Sequence, residues 1–395
     1  MRSRDANPAR AAWLVVVGLV VFMLALAGCG GGSDSTSSSS DEALQKLGKG
    51  EGEVNLISWA GYVEPGWSKP FEQKTGCNVN NKEAGTSDEM VELMKTGQYD
   101  GVSASGNATA RLVAANLVAP VNTDLVPNYK TVFADLKDQP YNTFEGVNYG
   151  IPHGRGANLL MWNGNDVKPA PDSWNVMFDP KIAAKYKGKI SVYDESSYIA
   201  DAAMYLKFHQ PDLGIENPYE LNEEQFNAAI DLLKTQNTII GEYWSDYLKA
   251  QQAFDTGDTV LGTTWQIIAN YVQADKKVKV QAVLPSEGAT GWSDTWMVAT
   301  KSKHKTCAYK WMDHIISPKV NAEVAEWFGE APANSKSCAE TVDKTFCDTF
   351  HADDEAYFDQ VWYWNTPIAQ CLDGRTDATC KDYGDWTTAW QEIKG

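Results

Sequence analysis

Histidine is scarce, with five in 395 residues, and neither an H-E-x-x-H run nor a C-x₂-C pair occurs. Zinc-protease chemistry therefore has no footing, and a structural zinc site fits poorly. No G-x-S-x-G elbow, Walker loop or post-strand G-x-G-x-x-G is present, so the common hydrolase, NTPase and dinucleotide signatures are missing. His153 and His209 stand alone, as structural or exposed residues do. Basic residues are short, 34 Lys+Arg against 52 Asp+Glu, for a formal charge of −18. That balance argues against binding a phosphate backbone and is compatible with cationic partners. What is present is a globular composition, 43% hydrophobic and 22% charged, in a length that suits two or three domains or one fold of two lobes. Fifteen tryptophans are unusually many and need a purpose.

Arg2, Arg4 and Arg10 precede an apolar run over residues 11–27, the pattern of a secretory signal. The run is near the length of a short membrane span, so a retained helix is the alternative. Leu26-Ala27-Gly28-Cys29 resembles the lipobox of bacterial lipoproteins, which implies cleavage before Cys29 and lipid on its thiol and new amino group. Residues 1–28 are thus expected to be the signal peptide. Residues 29–50 are expected to be a flexible tether, rich in Gly and Ser over 30–41. Lipid anchoring would hold the chain on the outer face of the cytoplasmic membrane. The six remaining cysteines, Cys77, Cys307, Cys338, Cys347, Cys371 and Cys380, are an even number in an exported chain, and fifteen pairings are possible. Cys338/Cys347 and Cys371/Cys380 are close enough for local loops, which would leave Cys77 with Cys307.

Strand and helix patterns alternate. Residues 54–59 read as a strand, Thr86 and Glu89 as a capping box for a helix to about Thr96, and residues 99–103 as a second strand. Asn222 caps a helix with Phe226, Ala229, Ile230 and Leu233 on one face. A helix over 246–256 stops at Gly257, strands follow at 259–265 and 278–284, and a last amphipathic helix covers about 306–316. This order predicts α/β layers with mixed, mainly parallel sheets flanked by helices.

Aromatic residues fall where strands should end, the place ligands gather in open α/β sheets. Trp59 and Tyr62 follow the first strand, and Trp265 closes another. Trp292 and Asp294 lie in what reads as a Gly-flanked turn, Glu287 to Trp296. A carboxylate beside indoles suits an ammonium, since each cation–π contact contributes about 0.5–2 kcal/mol. Tyr193-Asp194-Glu195-Ser196-Ser197-Tyr198 is a further acidic–aromatic cluster, or else a capped helix start. Each of these residues, taken singly, could also be ordinary core or surface.

In their order along the chain these stretches resemble the spermidine/putrescine-binding proteins of bacterial ABC importers. The resemblance runs from about Glu53 to Asn334. It rests on Trp59-x-x-Tyr62, Gly97-x-Tyr99-Asp100, Tyr149-Gly150-Ile151-Pro152, Trp265, Glu287-Gly288 with Trp292-x-Asp294, and Ala331-Pro332-Ala333-Asn334. It implies a two-lobed periplasmic-binding-protein fold of type II closing over a ligand, with residues 51–155 and 296–334 in one lobe and 156–295 and 335–395 in the other. It further implies a polyamine cargo, an ABC permease as partner, a monomer, no cofactor, no metal and no catalysis. Trp59, Tyr62, Trp265 and Trp292 match positions that flank the polyamine chain, and Asp294 matches one that pairs with an amine. Asp194, Glu195, Tyr198, Ser105 and Glu330 complete the expected site. Tyr198 stands where the family has an acid and Glu330 where it has a phenol, which opens the choice of amine; the family's C-terminal Gln falls near Trp364-Asn365. Two alternatives remain open at this point. One is a receptor for another amine or amino-acid-like solute such as 4-aminobutyrate. The other is a secreted carbohydrate-binding or carbohydrate-active protein, for which paired acids and many indoles are also apt.

Overall fold

The computed structural model describes residues 42–275, 278–371 and 375–395. The signal segment, Cys29 and most of the expected tether lie outside them. Residues 42–50, expected to continue the tether, instead lie against the body: Leu44 and Leu47 pack on the larger-sheet core, and Asn122 donates to the Leu44 carbonyl. Glu51 then accepts the backbone N–H groups of Thr306 and Cys307.

Thirteen strands carry the architecture. They are β1 (Glu53–Ser58), β2 (Asn78–Glu83), β3 (Gly101–Ser105), β4 (Val118–Ala119), β5 (Ile151–Ala157), β6 (Leu159–Asn163) and β7 (Ile190–Tyr193), followed by β8 (Ile240–Trp244), β9 (Leu261–Thr264), β10 (Val280–Val283), β11 (Ala289–Ala299), β12 (Ala331–Pro332) and β13 (Val361–Tyr363). The larger sheet runs β12-β5-β11-β3-β1-β2, with β4 and β13 also on β11; the smaller runs β8-β7-β9-β6-β10. Parallel pairs, β1 with β2 and β3, and β7 with β8 and β9, build one flank of each sheet. The strands nearest the crossings, β5, β6 and β11, pair antiparallel, apart from a short parallel pairing of β11 with β13.

The helices that bear on the site are α1 (Pro65–Thr75), α2 (Ser87–Lys95), α3 (Gly106–Ala114), α4 (Tyr198–His209), α5 (Glu223–Asn237), α6 (Tyr247–Thr256), α7 (Gln266–Asp275), α8 (Lys305–Ile315), α9 (Pro318–Phe328) and α10 (Tyr383–Lys394). Their caps follow from sequence. Thr86 accepts from the Glu89 N–H, although the Glu89 carboxylate takes the Gly85 N–H rather than closing the expected box. Asn222 and Gln225 do form a reciprocal box, and Phe226, Ala229, Ile230 and Leu233 are buried as their spacing requires.

The sequence misleads at the centre of the molecule. Most of residues 287–296, expected as a turn, instead lies in β11, an eleven-residue strand buried along its whole length. Its start packs in the smaller-sheet core through Ala289 and Trp292, and its end in the larger-sheet core through Trp296 and Val298. The chain crosses the other way between β5 and β6 with only Asn158 between them. The tail also divides. Phe346, Phe350 and Phe358 pack with Ala157, Ala325 and Ala331, whereas Trp364 and, from α10, Trp386, Trp390 and Ile393 reach the smaller-sheet core. The tryptophans prove mostly architectural: Trp174, Trp244, Trp296, Trp311 and Trp386 are fully buried core anchors. Disulfides join Cys77 to Cys307, Cys338 to Cys347 and Cys371 to Cys380.

Candidate functional site

Asp294 sits where β11 passes from one core to the other, and a cleft of about 640 Å³ opens onto it. That volume suits a small organic molecule. The register of β11 against β3 pairs Asp294 with Ser105, whose hydroxyl donates to Asp294 Oδ1. The Tyr62 phenol lies 2.7 Å from Asp294 Oδ2. Burial pushes the Asp294 carboxyl up to about 6, while the hydrogen bonds from Ser105 and Tyr62 oppose the shift. The group is thus mainly ionised at neutral pH, and only 2% exposed.

The cleft wall is a run of edge-to-face rings. Trp244 meets Trp265 at 5.1 Å, Trp265 meets Trp292 at 6.4 Å, and Trp292 meets Phe328 at 5.8 Å. Glycines on β5 make the room. A Cβ on Gly156 would lie 2.6 Å from the Trp292 ring, and one on Gly154 would lie 2.1 Å from the Glu330 carboxyl. Trp265 is oriented by a buried polar chain: its indole N–H donates to Asn158 Oδ1 at 3.0 Å, and the Asn158 amide donates to Thr290 Oγ1 at 2.7 Å. The Thr290 and Tyr193 hydroxyls both donate to Asp201, which burial pushes up to about 7. Asn158, the single residue between the crossing strands, therefore holds an indole of the site.

A second acidic group faces the cleft from the loop after β7. Asn107, at the start of α3 in the other half, donates to Glu195 Oε1. Burial, and then the charge of Asp88, pushes Glu195 up to about 8, with Arg111 and Asn107 opposing, so it is mostly protonated at neutral pH. Asp194 borders the cleft, but it already pairs with Lys394 at 2.5 Å and accepts from the Trp390 indole at 2.9 Å.

Seven expected site residues border the cleft together: Trp59, Ser105, Asp194, Glu195, Trp265, Trp292 and Asp294. Three do not. Tyr62 lies behind Asp294, its ring against His153 at 4.2 Å and Phe328 at 4.7 Å. Tyr198 opens α4 facing inward, where it donates to Gln236, because the chain turns between Glu195 and the helix. Glu330 points back into the larger-sheet lobe, 2.8 Å from the Tyr62 phenol. Sequence reasoning missed Trp244, Tyr247, Tyr271, Trp327 and Phe328 among the lining groups. Trp244 had a usable signal, since it ends a strand just ahead of the helix read from Asp246. Trp364 reaches the cleft because its N–H extends the β13 pairing, donating to Gly291 O at 2.6 Å. Among the described residues no group of three or more His, Cys, Asp or Glu is arranged to hold a metal ion.

Two α/β lobes around an aromatic and acidic cleft define a solute-binding protein of the periplasmic type. Residues 66–357 match the family described as bacterial extracellular solute-binding protein, and the chain belongs to that family. It is 24% identical over 303 residues to the putrescine/cadaverine-binding protein of Pseudomonas aeruginosa, covering 72% of this chain and 80% of that one. It is also 24% identical over 283 residues to the spermidine/putrescine-binding periplasmic protein of Escherichia coli, covering 71% and 77%. The fold is shared with the crystal structure of a spermidine/putrescine ABC transporter substrate-binding protein from Streptococcus pneumoniae, at TM-score 0.67 and 16% identity over 86% of this chain and 97% of that one. A GABA receptor shares it at TM-score 0.64 and 19% identity, over 87% and 95%.

Proposed function

We propose that this chain is the receptor of an ABC importer for a polyamine of the putrescine or spermidine kind, which it binds in the cleft and delivers to a membrane permease. The observation that carries the reading is Asp294: an ionised, nearly buried carboxylate at the end of an indole-walled channel. Each ligand CH₂ removed from water by those walls contributes about 0.8 kcal/mol. Each ammonium left without a carboxylate is heavily penalised, so length is read by the spacing of charges. Trp59, Trp265 and Trp292 flank the chain, Ser105 and Tyr62 hold Asp294, and Glu195 meets the far amine. Binding between lobes favours the closed form, the one presented to the permease. The lobes take residues 51–155 with 296–334, and 156–295 with 335–395, the segment around Phe346–Phe358 bridging them. The protein works as a monomer, without catalysis, held at the outer face of the membrane by lipid on Cys29 after loss of residues 1–28. Mass spectrometry of the mature N-terminus checks that anchor.

A second reading is favoured by the state of Glu195. With that acid mostly protonated, Asp194 engaged by Lys394 and Asp246 capping α6, Asp294 is the cleft acid left to meet an ammonium, which matches a solute with one amine, such as 4-aminobutyrate. Thermal unfolding of the purified protein with putrescine, spermidine, 4-aminobutyrate and a panel of oligosaccharides decides between them, because a ligand of the native state raises Tm. A rise with diamines above that with 4-aminobutyrate supports the polyamine. The reverse order supports the second reading, and a response to sugars alone ends both.

A further inference from the structure

Behind the cleft, carboxyl oxygens outnumber donors. The Tyr62 phenol oxygen lies 2.7 Å from Asp294 Oδ2 and 2.8 Å from Glu330 Oε2. A phenol has one hydrogen to donate, so two such contacts with carboxyl groups require a second, carried by one of the acids. The surroundings say which. Asp294 accepts a further hydrogen bond from Ser105 and borders the cleft. Glu330 is fully buried, and its Oε1 has no hydrogen-bond partner. The carboxylate with fewer donors is the more costly one to bury.

The titratable groups facing Glu330 are Tyr62 from the turn after β1, Asp294 from β11 and His153 from β5, whose Nε2 lies 3.3 Å from Glu330 Oε1. Burial pushes His153 down to about 3, so it brings no positive charge. The Arg155 guanidinium is engaged by Asp135, Tyr363 and the Phe358 ring instead. Burial, and then the charge of Asp294, pushes Glu330 well above the usual carboxylate range.

We propose that Glu330 is a positioning residue held as a carboxylic acid: its proton is donated to the Tyr62 oxygen, Tyr62 must then donate to Asp294, and the two acids together show a ligand one negative charge. The proton stands on the hydrogen-bond count alone, while its meaning for the ligand rests on the amine reading above. That meaning is specificity. One ammonium is matched by one charge at this end, whereas two ionised acids would favour a divalent ion.

Infrared difference spectroscopy of the ligand-free protein at neutral pH reads the proton directly. Glu330→Gln is expected to lose the carbonyl stretch of a protonated carboxyl, and Asp294→Asn the paired stretches of a carboxylate. Loss of carboxylate bands from Glu330→Gln overturns the proposal. Calorimetry with putrescine reads the positioning. Glu330→Leu leaves the Tyr62 oxygen without a donor and is expected to weaken binding about tenfold. Glu330→Gln, whose amide also donates, regains most of that loss, and Glu330→Leu adds nothing further in a Tyr62→Phe background. Gln as damaging as Leu, or losses that simply add, would overturn the role assigned to Glu330. A wild-type protein that ignores putrescine sinks the amine reading, and the infrared result still decides the proton.

Discussion

The two acidic ends of the cleft are built in opposite ways. Asp294 lies mid-strand in β11, and its partners come from β3 and from the turn after β1, all on the larger sheet. Strand register fixes them before any ligand arrives. Asp194 and Glu195 lie on the loop after β7, and their partners come from elsewhere: Asn107 from α3, Lys394 and Trp390 from α10. The first end is preformed; at the second, α10 engages Asp194 from the same lobe, while the contact of Asn107 with Glu195 is assembled between lobes. A preformed charge holds any cation of the right shape; an assembled one registers which cation has arrived and whether the lobes have closed on it.

Removing the preformed charge has the largest expected effect. Asp294→Asn keeps the side-chain shape and withdraws the charge, and putrescine affinity is expected to fall about hundredfold, about 3 kcal/mol for a charge-assisted contact. Calorimetry measures it, and a loss under about threefold removes Asp294 from the role of cation partner.

Acidity separates the two ends at a smaller amplitude. Cation binding needs Asp294 ionised and that group titrates at about 6. The contribution of Asp294 to amine affinity is therefore level above pH 6 and falls about tenfold per pH unit below it, as protons compete. Glu195 titrates at about 8. Its charge appears as pH rises through that value, so putrescine gains up to about tenfold between pH ~7 and ~9 while 4-aminobutyrate does not. Coincident pH profiles for the two ligands would mean that the ends act as one.

The same contrast explains what could be read from sequence. Trp59 and Trp265 were legible because the end of a strand is a local signal, and so was the buried face of α5. The central strands were not. β5 reads I-P-H-G-R-G-A and β11 reads A-T-G-W-S-D-T-W-M-V-A, dense in turn formers. Gly154 and Gly156 are there because the Glu330 carboxyl and the Trp292 ring occupy the space of a side chain, a fact about partners far along the chain. Tyr62 and Glu330 fall at the right positions in the pattern, yet their orientation depends on contacts 268 residues apart in sequence. Trp364 enters only through the pairing of β13 with β11. Local signals reach the residues that touch the cleft more readily than those that hold them.

The smallest expected effect tests the assembled end. Asn107 is the one group from α3 that hydrogen-bonds Glu195 among the described residues, and it does so across the cleft. Its amide favours the ionised acid, so Asn107→Ala raises the proton affinity of Glu195 and withdraws one contact of the closed form. A single hydrogen bond contributes about 0.5–1.5 kcal/mol, which sets the expected loss of putrescine affinity at about threefold. If Glu195 reads the second amine, 4-aminobutyrate is affected less than putrescine, because it places no ammonium there. Equal losses for both ligands would assign Asn107 to closure alone, and the second end would then sense the lobes rather than the cargo. A loss exceeding that of Asp294→Asn would reverse the ranking of the two ends, since the contact made on closure would then outweigh the charge the sheet holds in place.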